Sequence, residues 1–524
     1  MKHSVIVIGG GLAGMTAAIA AHEQGAEVIL LDRGSMGTGT NSALANGVFA
    51  GPSSGYGPEE YVRDTFESGR MLNDGQMVRM TADGAPAAFD LLRSLGVALE
   101  ETGASYHSVR PPRPDMIPGL ALVRKVADAV RPHVRFMRGF YVTELIRDDA
   151  VRGVRGLAAN GEEVSIYASA VILAAGGAGA IYEMHDNQGN ITGQGYRLAA
   201  EAGLPLLDME FVQFIPVVLA EPHTPRMLLF SPFPPGTRLI NEAGEDLVDK
   251  YGMAPLNEAV RKRRDDLSLC LFKESRTAPV YIDYREVAPS AWSVHPLVLL
   301  SGVKFDFKKS PARILPAAHF FNGGIRVASG RTELPGLFAC GEVVWGLHGA
   351  NRRGGNALTE CVVFGQAAGR AAACEDGPTG EERRIVTFSS GPSCAGRLRG
   401  LRASLKKLAW EKAGITRDGA SLVQALDEAA HLDELIRQTR PTGIKEALTW
   451  EDLMSASFVL RAVLTASLAR TESRGCFSRS DYPHEDNDQW LRNSSLSYRV
   501  ETRTFILEHR AASTDAGDGH TEAP

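Results

Sequence analysis

The sequence predicts an α/β protein, α+β overall, with three parts. A Rossmann-like dinucleotide-binding domain carries an inserted α+β domain and is followed by a C-terminal helical bundle. Three observations carry this. Apolar runs lead into glycine turns twice, at residues 4–14 and 168–180. Glycine-rich motifs then pause after residue 210 and resume only at His319. Beyond residue 385 they stop, and apolar positions such as Leu398, Leu401, Leu405 and Leu408 recur at helical spacing. At 524 residues the chain is too long for one core. The expected divisions are 1–210 with 319–385, an insert at 211–318, a helical domain at 395–510, and a disordered tail at 511–524.

The first element is the apolar run Ser4 to Ile8, followed by Gly9, Gly11 and Gly14 in GxGxxG spacing. A helix from Ala13 to His22 and a buried strand from Glu27 to Leu31 lead to Asp32. Strand, glycine turn, helix, strand and terminal acid is the dinucleotide-binding arrangement. It places a pyrophosphate on the helix N-terminus and ribose hydroxyls on Asp32, with Arg33 among the expected contacts. The small polar loop Gly37 to Ser42 runs into Gly47, which brings Asn41, Ser42 and Gly47 towards the phosphates and the ring.

The basic loop 105–119, with His107, Arg110 and Arg113, reads as a solvated lead into a helix at 120–131. Residues 133–173 read as strands around two polar turns. The last strand enters the second glycine turn, adding Ala175 and Gly176 to the expected cofactor contacts, and Gln194 opens the helix at 196–203. In the insert, residues 208–218 read as a strand, 230–236 as a proline-rich loop and 260–266 as a basic helix face. The stretch 319–372 is too polar and glycine-rich for an ordinary core. Its glycines precede a helix at 358–373, where free N–H groups suit a cofactor and substrate floor.

Composition narrows the function classes. A net charge of −6 from nearly balanced signs leaves no electrostatic footprint for nucleic acid. Six scattered cysteines without a CxxC pair form no disulfide framework and no zinc or iron–sulfur ligand set, so no metal site is expected. A reduced, cytoplasmic protein follows. Residues 4–21 are apolar enough to suggest a signal peptide, but three consecutive glycines interrupt them, and no direct membrane insertion is expected.

In their order along the chain, LAAGGAG, DMEFVQF, HFFNGGI, PGLFACGE, HGANRRGGNAL and RTESRGCFSRSDYPHEDNDQW resemble one family. It comprises the flavoproteins of succinate dehydrogenase, fumarate reductase and L-aspartate oxidase. The resemblance implies FAD held between the Rossmann-like domain and a capping domain. Hydride then passes between flavin N5 and a small carboxylate substrate, by C=C reduction or C–C/C–N oxidation. It implies Arg264 as the proton-carrying arginine, Arg263 being the fallback, and His319 and Arg352 as carboxylate ligands. Glu342 would hold the ribityl chain, and Asn356, Ala357 and Leu358 would face the ring through backbone groups. His348 would support the loop.

Departures from the family pattern shift the expected substrate. Ile215 stands where a substrate-clasping histidine is usual, with Val217-Val218 in place of Thr-Gly. Phe233-Pro-Pro-Gly236 replaces a charged segment, and Gln194 replaces an acid. Residues 34–50 contain no histidine for a covalent flavin bond, so FAD is expected to be noncovalent. One substrate end is therefore expected to be apolar. A standard dicarboxylate enzyme remains open, fumarate reductase or L-aspartate oxidase, with His107, His223 or Arg226 replacing the missing clamp. So does a non-catalytic electron-transfer flavoprotein. The helical domain is where respiratory relatives meet an iron–sulfur partner, peripheral to a membrane, whereas oxidase relatives keep it while working alone.

Overall fold

Five parallel strands form the central sheet of the computed structural model, which describes residues 3–253, 255–386, 388 and 390–513. Their spatial order is Leu337–Ala339, Ala170–Leu173, Ser4–Ile8, Glu27–Asp32 and Arg135–Arg138. The central strands read as unbroken apolar runs because both faces are covered, and every residue of Ser4–Ile8 and Ala170–Leu173 is buried. The helix Leu12–Glu23 packs on Asn356–Ala372, so two segments far apart in the chain meet across one helix pair. Gly365 permits that contact: a Cβ there would lie 2.1 Å from Thr16 Oγ1.

A second, antiparallel sheet runs Val212–Leu219, Ala312–Phe321, Val280–Asp283, Arg238–Ile240. It has its own apolar cluster, including Leu219, Leu239, Ile282 and Ile314. Its long strand Ala312–Phe321 ends beside the first sheet's cavity, which is how His319 reaches the site. The basic stretch near residue 260 is not one helix. It breaks at Arg263 (φ −125°, ψ 34°), between Leu256–Lys262 and Arg264–Ser275.

Three helices, Ala395–Lys412, Gly419–Gln438 and Ile444–Ala469, follow. The last is the one described helix long and apolar enough to cross a membrane, but 72% of its apolar window is buried inside the protein. The expectation of helix up to residue 510 is corrected. Arg492–Arg499 and Thr504–Ala511 form an antiparallel hairpin whose first strand pairs with Leu206–Leu207. The alternation in that hairpin turns Phe505 onto Phe458 and Tyr498, at ring distances of 5.1 and 5.2 Å. Ala511, expected in the tail, is part of this strand; 514–524 lie outside the described residues.

Candidate active site

A cavity of about 1390 Å³ opens at the carboxyl ends of the parallel strands. Residues just past three of them line it: Gly9 and Gly11, Asp32, and Ala175 with Gly176. This is where open α/β sheets bind ligands. The volume exceeds the ~300–1,000 Å³ usual for one drug-sized ligand, so a dinucleotide and a second small molecule fit together.

The cofactor half is organised by Asp32. Its two carboxylate oxygens accept from Gly10 N and Gly34 N, each at 2.6 Å. That fixes the turn and leaves acceptor capacity facing the cavity. Asn41, Ser42, Gly47, Gln194, Ala357 and Leu358 also border the space. Gln194 donates to Val142 O at 2.5 Å, and Ser42 Oγ accepts from Leu12 N at 3.3 Å. Glu342 accepts from Phe321 N at 3.1 Å, and burial pushes its carboxyl up to about 7.

One expected contact is corrected. Gly14 does not border the cavity; a Cβ there would lie 1.9 Å from Gly9 O, so it lets helix and strand approach. The Asn356 side chain accepts from Tyr61 Oη at 2.9 Å, so only its backbone is left to face a ring, next to Ala357 and Leu358 at the cavity. Arg33 borders the cavity, but its guanidinium donates to Asp452 and Asn190 O and stacks 4.7 Å over Tyr141. It fastens the C-terminal helices to the first domain.

At the other end, Arg264, His319 and Arg352 share one wall. Arg264 donates to Asn351 Oδ1 and to Arg352 O, both at 2.8 Å. Its Nε and Asp265 Oδ1 are buried without hydrogen-bond partners, 3.9 Å apart. Burial raises the Asp265 carboxyl. Arg352 donates to Gln213 Oε1 at 3.2 Å and lies 4.8 Å over the Phe320 ring. Burial and the Arg264 charge push its guanidinium down to about 10. Among the described residues no carboxylate pairs with Arg352, so an anionic ligand is the natural counter-charge. Arg263 points elsewhere, pairing with Asp266 at 3.1 Å, which leaves Arg264 as the arginine of this wall.

Some residues were legible only as motif letters. Asn351 is a hub: it accepts from Arg264 and Gln213 and donates to Asp265. Asp186 meets His319 Nδ1 at 2.7 Å, with no sequence motif to announce it. His348 pairs with buried Glu360 at 2.9 Å, behind the loop.

Another part of the lining is apolar. Ile215, Val217, Met227, Leu229, Phe230 and Phe233 belong to it. Val218 does not: an irregularity in strand pairing between Ile215 and Val218 turns it into a separate cluster with Met184 and Ala317. Of the proposed substitutes for the clamp, His107 and His223 do not border the cavity and Arg226 does. His107 instead contacts Pro52 O at 3.3 Å and the Phe89 ring.

An FAD suits these residues: glycines at the first turn, an acid with spare acceptors, a helix end facing the cavity, and room for a second molecule. A family profile described as FAD binding domain matches residues 4–358. Another, fumarate reductase flavoprotein C-term, matches residues 402–517. One of the subunits of the fumarate reductase (CoM/CoB) from Methanothermobacter marburgensis is 32% identical over 95% of this chain and 97% of its own. An L-aspartate oxidase from Agrobacterium fabrum is 31% identical over 94% of each chain. A chain of a solved quinol–fumarate reductase aligns over 100% of both chains with a TM-score of 0.83 at 25% identity. The chain is an FAD-dependent oxidoreductase and belongs to the fumarate reductase/succinate dehydrogenase flavoprotein family.

Proposed function

We propose that this enzyme acts on a small carboxylate whose other end is apolar, such as an alkyl or aryl enoate. The observation that carries this is the contrast within the lining of one cavity, which holds Arg264, His319 and Arg352 but also Ile215, Val217 and Phe230. Bound FAD, held noncovalently, supplies or accepts hydride at N5. Arg352 and His319 grip the carboxylate; the planar guanidinium offers two parallel donors. Their positive charge also stabilises negative charge developing on an enoate during reduction. Arg264 carries the proton for the carbon that does not exchange hydride. A guanidinium is a poor acid, with a pKa above ~12 in water; Asn351, Arg352 O and the neighbouring Asp265 hold this one in a fixed place.

A second reading, an ordinary dicarboxylate enzyme, is favoured by Arg226, whose backbone neighbours Met227 and Leu228 line the apolar wall. The relatives named fumarate reductase and L-aspartate oxidase support the same reading. Steady-state rates with fumarate, L-aspartate, crotonate and cinnamate separate the two. High turnover on fumarate or aspartate and none on the monocarboxylates sinks the first reading. An iron–sulfur electron-transfer partner on the helical segment 395–469 is part of the proposal, and it would hold the enzyme peripheral to a membrane from the cytoplasmic side. Purification from the native source without any iron–sulfur protein counts against it.

A further inference from the structure

We propose that Asp186 is a positioning residue for His319, fixing the imidazole with Nδ1 towards the protein and Nε2 towards the substrate carboxylate. This rests on the reading of His319 as a carboxylate ligand. Asp186 Oδ2 lies 2.7 Å from His319 Nδ1, and the carboxylate side chain is 6% exposed against 23% for the imidazole. Both residues border the cavity.

The pair is built in. Asp186 N donates to Ala318 O at 3.3 Å, and Ala318 N donates to Met184 O at 2.9 Å, so the two backbones run side by side. Asn187 Nδ2 donates to Ala318 O at 3.2 Å and to His319 O at 3.0 Å. The same amide meets Asp186 Oδ1 at 3.2 Å, which leaves Oδ2 for the ring. These contacts fix the two backbones and orient the Asp186 carboxylate towards the ring.

The chemistry follows from the inventory of histidine. A carboxylate accepts only, so Nδ1 facing it carries a proton. A neutral ring would then present an acceptor at Nε2 and repel a carboxylate. A ring cationic against Asp186 donates from Nε2 and binds it. Asp186 therefore fixes Nε2 as the nitrogen that faces the cavity, where it donates to a carboxylate when both ring nitrogens carry protons.

Two measurements on the FAD-loaded protein test this. The first is the proton resonance of a His319 imidazole N–H, assigned by its loss in His319→Gln. It is expected in the native protein and in Asp186→Glu, and absent in Asp186→Ser. Its persistence in Asp186→Ser overturns the proposal without any ligand. The second is binding of crotonate and crotonamide, followed by flavin absorbance. Asp186→Asn is expected to weaken crotonate about tenfold, the ~1.4 kcal/mol scale of a charge-assisted hydrogen bond, and to leave crotonamide unchanged. In the His319→Gln background Asp186→Asn is expected to add nothing; an additive loss assigns Asp186 a merely structural role. If His319→Gln itself leaves crotonate binding intact, the reading of His319 as a ligand fails. If it weakens binding while Asp186→Asn does not, only this inference fails.

Discussion

The two walls of the cavity are made differently. On the polar wall each charge is tied down by neighbours drawn from distant parts of the chain. Asn351 links Arg264, Gln213 and Asp265; Asp186 holds His319; Phe320 lies under Arg352. That scaffolding answers a physical need, since the Arg264 charge and burial both disfavour the charged Arg352. Two buried cations without a fixed frame would separate or draw in water. On the apolar wall Ile215, Val217 and residues 227–233 need only shape and hydrophobicity. Apolar contact is non-directional, so these side chains can change with less effect on the hydrogen-bonded frame. On the proposed function, the reaction belongs to the polar part of the lining and the choice of substrate to the apolar part.

The largest expected effect breaks the polar wall. Arg264→Ala is expected to lower kcat by roughly 10²–10⁴-fold, the usual contribution of a positioned proton donor, with flavin content unchanged. Turnover that survives this substitution would remove the proton role. Arg352→Lys keeps the charge but loses the planar fork, the stacking on Phe320 and the bond to Gln213. A fall of about 10²-fold in kcat/KM is expected, near the upper end of what one lost charge-assisted bond of ~1.5–3 kcal/mol gives. Kinetics with the best enoate substrate would check it.

Changing the apolar wall should move specificity instead. Ile215→His is expected to raise kcat/KM for fumarate relative to crotonate or cinnamate by about tenfold, the scale of a small change in a hydrophobic pocket. Equal effects on all three substrates would mean that the wall does not face the substrate's far end.

The first glycine turn, the parallel sheet and the floor helix were legible because their signals are local: apolar runs, glycines at fixed spacing, and Asp32 at the strand end. Arg264, His319 and Arg352 were legible through family motifs, and they meet in space. What could not be read arises from pairings between distant segments. Nothing in the letters His185-Asp186-Asn187 announces a partner at His319, because the pairing is made by backbone contact with Ala318. By its letters Val218 is equivalent to Ile215 and Val217, but an irregular strand pairing turns it away from the cavity into a buried cluster. The C-terminal hairpin was missed for the same reason, since its first strand takes its place against Leu206–Leu207, far earlier in the chain.

The smallest expected effect sharpens the contrast at a buried acid of the cofactor side. Glu342 has its carboxyl raised from 4.5 to about 7, first by burial, while Phe321 N–H and Arg352 pull it back. The folded protein therefore keeps a proton on Glu342 that the unfolded chain releases above pH 4.5. By linkage, stability falls as pH rises through the window from 4.5 to about 7 and is level beyond it. The full effect is on the order of 3 kcal/mol, an upper limit for a group whose neighbours relax. Glu342→Gln keeps the acceptor for Phe321 N–H and cannot ionise. Its FAD-free form is expected to lose less Tm between about pH 5 and pH 7.5 than the native protein does, by a few degrees. Parallel Tm curves for the two proteins would show that the carboxyl ionises normally at this site. The polar side would then contain a fixed anion at neutral pH, beside Arg352, and the case for an external carboxylate as its counter-charge would weaken.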